Sequence, residues 1–212
     1  MCFNYKVSFL TFVIGTVSSI LLIKYGNKAY KIDNIVFGTF FIFIAAIQLM
    51  DFLFWIDIKN KIGINYITTL LGPLLNIGQP IILYLIKLIY FRPKLSNFTI
   101  SDVFVLILNV LYLFYLIHMY ITFILSSNLV TSTKYGHLHW PWLEYSNPYY
   151  YLILSAINIF YLTNFVYSLW DFLITYFLIY ISYKYFRYSV GELWCFFGAF
   201  LPIYMIIISY YL

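Results

Sequence analysis

The chain has 212 residues, 64% of them hydrophobic and only 9% charged, with a net charge of +5 and a mean hydropathy of +0.91. Soluble domains carry about 25% charged residues, so this composition excludes a water-facing globular surface of the ordinary kind. The basic residues fall between apolar segments, which points to lipid headgroups as their partner and away from nucleic acid.

Taken in chain order, seven stretches are apolar and long enough to cross a bilayer: Val7–Ile23, Ile35–Ile56, Tyr66–Phe91, Val103–Leu125, Tyr149–Tyr167, Leu169–Tyr185 and Leu193–Leu212. A crossing helix needs about 20 apolar residues. The runs are continuous, not alternating, so helices and not barrel strands are predicted. The first run is read as a signal anchor that stays, because no small-residue cleavage site follows it. The fold class is therefore all-α, a polytopic transmembrane bundle formed as one domain over residues 1–212. Spans five and six are expected to make a tight hairpin near Ser168; if they are tilted or re-entrant the count becomes six.

The connections are short and polar. Asn97-Phe98-Thr99 is a sequon, and Ser126–Pro148 is the longest connection. With the N-terminus outside, five basic residues are cytoplasmic (Lys24, Lys28, Lys31, Arg92, Lys94). Six face the other way (Lys6, Lys59, Lys61, Lys134, Lys184, Arg187). That near-balance gives the positive-inside rule little to act on; the basic first loop favours an outside N-terminus.

Ionisable groups within spans are costly and tend to face a bundle interior or a wet cavity. Four stand out: Asp51, Lys87, His118 and Asp171. Gln48, Asp51 and Trp55 recur at i, i+3 and i+7, on one helix face. Asn76, Gln79 and Lys87 share a face of span three, flanked by Pro73 and Pro80. Proline removes a backbone donor, and a broken helix in lipid needs substitute partners, which Asn76 and Gln79 supply. Broken helices also mark substrate sites in transporters.

Two readings stand beside each other for each residue. Amides and Asp51 serve either as glue between helices or as an ion or solute path. Asp51 is either interfacial and hydrated or buried. Lys87, about one turn from Arg92, is expected to snorkel. Asp171 opens span six and is expected to favour the helix N-terminus. His118 is read as packing before ligand.

In the long connection, His137, His139 and Glu144 surround Trp140-Pro141-Trp142. Two histidines two apart with a glutamate could hold a metal with a third ligand, or respond to pH. An interfacial cap, with Trp140 and Trp142 at headgroup level and the histidines wet, is the plainer expectation. Cys2 and Cys195 fit neither a disulfide framework nor a zinc spacing; they are candidate thiols only. No Walker A, G-x-S-x-G, H-E-x-x-H or C-x-x-C occurs. No cofactor is expected. Retinal is disfavoured because the last span lacks a lysine, and membrane metal hydrolases because spans five to seven lack histidine.

Several motifs resemble one family. Met1-Cys2-Phe3-Asn4, Gln48-x-x-Asp51-x-x-x-Trp55, Gly72-Pro73-x-x-Asn76-x-x-Gln79-Pro80 and Leu193-Trp194-Cys195-Phe196 are similar, in order, to motifs of small uncharacterised polytopic membrane proteins of bacteria and giant viruses. Asn4 stands for the family's serine and Asp51 for its glutamate. The resemblance implies a membrane fold, a virion or host membrane if the viral kinship holds, and one constellation of Gln48, Asp51, Trp55, Asn76 and Gln79; it carries no activity. The expectation is a transporter or channel for a small solute or cation, with a polar cavity between spans two and three. The alternatives are a membrane scaffold and, third, an intramembrane enzyme.

Overall fold

A computed structural model describes residues 4–91, 99–134, 136–185, 194 and 196–212. Cys2, Cys195, Asn97 and Phe98 lie outside the described residues. The helices are α1 (Tyr5–Tyr25), α2 (Lys31–Ile56), α3 (Ile64–Asn76), α4 (Gln79–Phe91), α5 (Ile100–Ile124), α6 (Pro148–Phe160), α7 (Phe165–Tyr185) and α8 (Leu201–Tyr211). Four of them (α1, α2, α5 and α7) are long and apolar enough to cross a membrane. The bent pair α3–α4 makes five if counted as one crossing. The remaining apolar helices, α6 and α8, have 13 and 11 residues.

Local chemistry explains most helix ends. Asn4 caps α1, its Oδ1 accepting from the amides of Lys6 and Val7 at 3.0 and 3.1 Å. Asparagine is a strong N-cap. Thr99 and Asp102 form a reciprocal capping box at the start of α5. The predicted hairpin near Ser168 lies earlier, at residues 161–164. Asn164 there caps α7, accepting from Val166 and Tyr167 at 3.0 and 3.2 Å. Leu162 turns the chain with φ +62°, a left-handed conformation that costs a non-glycine residue about 1–2 kcal/mol.

α2 is the centre of the bundle. It is about 39 Å long at 1.5 Å per residue and is buried on nearly every side, packed by α1, α3, α4 and α8. α1 meets it through a stripe of small residues (Ser8, Thr11, Gly15, Ser18, Ser19). A Cβ at Gly15 would lie 2.9 Å from the Ala45 Cβ and 3.0 Å from that of Ala199, so the backbones approach as only small residues allow. The hydroxyls of Thr11, Ser18 and Ser19 bond back to Val7, Ile14 and Gly15 carbonyls, which leaves them satisfied within their own helix. On α5 the buried positions 102, 105, 109, 112, 116, 119 and 123 form a single stripe. The opposite face, with Phe104, Leu111, Phe114 and Ile121, is exposed and apolar, as a lipid-facing helix requires. His118 lies on that exposed side.

The helix pair α3–α4 bends by 59° between Asn76 and Gln79. Side chains from neighbouring helices reach the backbone freed there. Tyr112 donates to the Ile77 carbonyl at 2.8 Å, and Asn158 donates to the Pro80 carbonyl at 2.8 Å. Asn158 also pairs both ways with Asn109, at 3.1 and 2.9 Å.

Candidate functional site

The sequence constellation divides in two. Gln48 and Asp51 are both fully buried on α2. Gln48 Nε2 donates to Asp51 Oδ2 at 3.3 Å, and Trp140 Nε1 donates to Asp51 Oδ1 at 3.2 Å. Trp55 is half-buried beside them, its Nε1 without a partner among the described residues. Asn76 and Gln79 stand on either side of the α3–α4 bend, both buried, and Tyr151 donates its hydroxyl to Gln79 Oε1.

Asp51 is thus buried, and the group that meets it comes from the long connection. Trp140 and Trp142 do not face outward but pack inside the bundle. They are 1% and 0% exposed and stack at 5.1 Å with planes 19° apart. Gly72 makes room for them: a Cβ there would lie 2.3 Å from the Trp142 ring. Two local structures fold the connection inward. A short antiparallel pair, β1 (Ser132–Lys134) with β2 (His137–His139), turns the chain back. Thr131 is held by Asn65, which accepts from its amide at 2.9 Å and donates to its carbonyl at 2.8 Å. Two indoles offer more apolar area than an interface demands, and Asp51 accepts the polar edge of one of them.

His139 Nε2 and Glu144 Oε1 lie 3.2 Å apart on the surface side of this plug. His137 is half-buried two residues away, and burial pushes its imidazole below the ordinary histidine value. Among the described residues no group of three His, Cys, Asp or Glu stands close enough to hold a metal. Asp57, which ends α2, organises the same end of the molecule. It accepts from Lys61 and Ile62 amides at 2.7 and 3.3 Å and from Asn65 at 3.2 Å. Burial alone would raise its pKa, but these backbone donors together hold the carboxyl below the usual carboxylate value.

A second centre lies where α4 meets the break between α6 and α7. Lys87 does not snorkel: it is fully buried. Its Nζ donates to the carbonyls of Asn158, Ile159 and Tyr161, the latter two at 2.8 and 2.7 Å, and to Thr163 Oγ1 at 3.2 Å. The last turn of α6 leaves these carbonyls without helical donors, and the helix dipole makes them a negative end. The ammonium serves as their cap, with the Phe37 ring 5.5 Å away as a further cation-binding face. Two carboxylates act on this charge from α7 and α2, Asp171 and Asp33. Asp171 is not a helix-start acid. Because α7 begins at Phe165, Asp171 is carried about two turns in and is 2% exposed. Asp33 accepts from the Asn164 amide at 3.0 Å. Asp171 Oδ1 has no hydrogen-bond partner among the described residues.

Beside Asp171 lies an internal cavity of about 20 Å³ between α2, α4, α6 and α7. It is lined in part by Ser155, Thr175, Tyr151 and Trp194, and by none of Gln48, Asp51, Trp55, Asn76 or Gln79. Lys87 and Asp171 were each visible in the sequence as ionisable residues within spans. Their grouping was not, and Asp33 escaped notice because it sits near a loop. The available signal was opposite charge: a lysine and an aspartate in separate apolar runs are each costly until they share a site.

Compared with protein-family models, with curated proteins and with solved structures, the chain finds no match.

Proposed function

We propose that this chain is a multi-pass integral membrane protein that moves a small cation or solute across its bilayer, with Lys87, Asp171 and Asp33 as the working centre. The observation that carries the reading is the meeting of one interrupted helix, α3–α4, with the turn between α6 and α7 at one buried charge cluster. Helix breaks of this kind bring carbonyls and dipole ends to ions in transporters. A buried charge unrelated to function is a costly feature to keep. In this reading α3–α4 is one bent crossing and α6 and α8 are short ones, giving seven passes. The ordered motifs that resemble those of the bacterial and giant-virus family support a membrane location of the same kind.

Asp51 takes a structural part in this proposal, holding the tryptophan plug against α2. A scaffold is the second reading. It is favoured by the small size of the one internal cavity described above and by the paired amides of Asn109 and Asn158. Reconstitution into proteoliposomes separates the two. Under the transport reading, wild-type protein dissipates an imposed sodium or proton gradient, and Asp171→Asn reduces the flux at least tenfold while the protein still purifies as a monodisperse species. Wild-type vesicles as tight as protein-free ones under both gradients would leave the scaffold.

A further inference from the structure

We infer that Asp171 anchors a built-in site for one small monovalent cation of the sodium class, in the cavity between α6 and α7. The inference deepens the transport reading by naming its ion, and rests on that reading for the use of the site, though not for its existence.

Three features lead to it. The first is charge. The buried cluster holds one ammonium, Lys87, and two carboxylates, Asp33 and Asp171, so with both carboxylates ionised its formal charge is −1. An uncompensated buried charge is strongly unfavourable, and one monovalent cation balances the cluster where a divalent ion would overshoot. The second is hydrogen bonding. A lysine ammonium has three donors, and those of Lys87 are directed to the α6 carbonyls and Thr163. Asp33 has the Asn164 amide. Asp171 Oδ1 is left as a buried acceptor with nothing donating to it among the described residues, although buried polar atoms are nearly always satisfied.

The third is space and ligand type. The cavity that Asp171 lines measures about 20 Å³, and about 10–15 Å³ admits one water-sized species. Thr175 stands one turn on from Asp171 along α7, on the same face, and Ser155 faces the cavity from α6. A carboxylate with two hydroxyl-bearing neighbours is an all-oxygen donor set of the kind that suits hard cations. A one-particle volume admits a bare alkali cation and excludes the bulkier choline.

The test is thermal unfolding of the full chain in detergent, followed by tryptophan fluorescence, as sodium chloride replaces choline chloride at fixed pH and ionic strength. Sodium is expected to raise Tm saturably, with lithium and potassium able to replace it and choline not. Asp171→Asn should abolish the sodium response. Thr175→Val, a milder change if the aspartate variant folds poorly, should weaken the apparent sodium affinity several-fold. Equal responses to sodium, potassium and choline would overturn the site, as would a full sodium response in Asp171→Asn. A cluster neutralised by a proton on Asp171 would give no sodium response and counts against it too. Sodium binding without flux in vesicles would sustain the site while removing transport; gradient-driven flux without sodium binding would do the reverse.

Discussion

Removing the Lys87 ammonium would leave the Asn158 and Ile159 carbonyls of α6, the Tyr161 carbonyl just after it and two carboxylates without their common partner. Breaking one side of a buried charged group costs about 3–5 kcal/mol, so Lys87→Met should lower Tm sharply in detergent. Lys87→Arg should not restore it, because a planar guanidinium cannot replace a compact three-donor ammonium. An unchanged Tm in Lys87→Met would show that the carbonyl cage is not what holds α6 to α4. Asp51 belongs to a different kind of site. Asp51→Asn removes the charge that accepts from Trp140, a bond to a charged group worth about 1.5–3 kcal/mol. The variant should lose stability of that order and keep its flux, and loss of flux without loss of stability would return Asp51 to the transport path. Asn4 shows the reverse case, a residue whose part is played by local chemistry alone, as the cap of α1.

At the scale of elements, the contact of α1 with α2 depends on small residues. Gly15→Leu would place a branched side chain where even a Cβ meets Ala45 and Ala199 at about van der Waals contact or closer. Overpacking of this kind costs about 1–3 kcal/mol, and urea or thermal unfolding should show it, whereas Val13→Leu on the exposed face of α1 should be neutral. The turn after α2 carries a pH dependence. Asp57 has a folded pKa below its unfolded value of 3.8. Its contribution is therefore complete above pH 3.8 and fades as pH falls through the folded pKa, because the unfolded chain takes up the proton first. A Tm profile of Asp57→Asn should converge with wild type under acid and separate from it above that range. Parallel profiles at all pH values would remove Asp57 as the cause.

For the whole molecule, the seven-pass reading proposed above has the helices alternate in direction from α1 through α8, with α3–α4 as one pass. The α1–α2 turn is tied to α8 by Asn27, which donates to the Ser209 carbonyl at 2.7 Å, while the β1–β2 hairpin is tied to the start of α3 at the other end. In a background lacking the native cysteines, Lys28→Cys and Thr133→Cys should label from opposite sides of a sealed membrane. Labelling of both from one side would rule out this arrangement of passes.

What the sequence determined by itself was whatever depends on neighbours a few residues away. Hydropathy over about 20 residues marked the apolar runs, and Pro73 with Pro80 marked the bend in the third. What the tertiary structure alone decided was which polar groups meet. Lys87 reaches carbonyls 71 to 74 residues away, and Asp51 meets an indole 89 residues on. Read along the chain, Lys87 lies near a helix end and Trp140 in a polar loop, so snorkelling and an interfacial cap were the natural expectations. Burial reversed both. An ionisable or polar group inside an apolar bundle turns toward whichever partner removes its cost, and that partner is chosen by packing in three dimensions, which spacing along one helix does not encode.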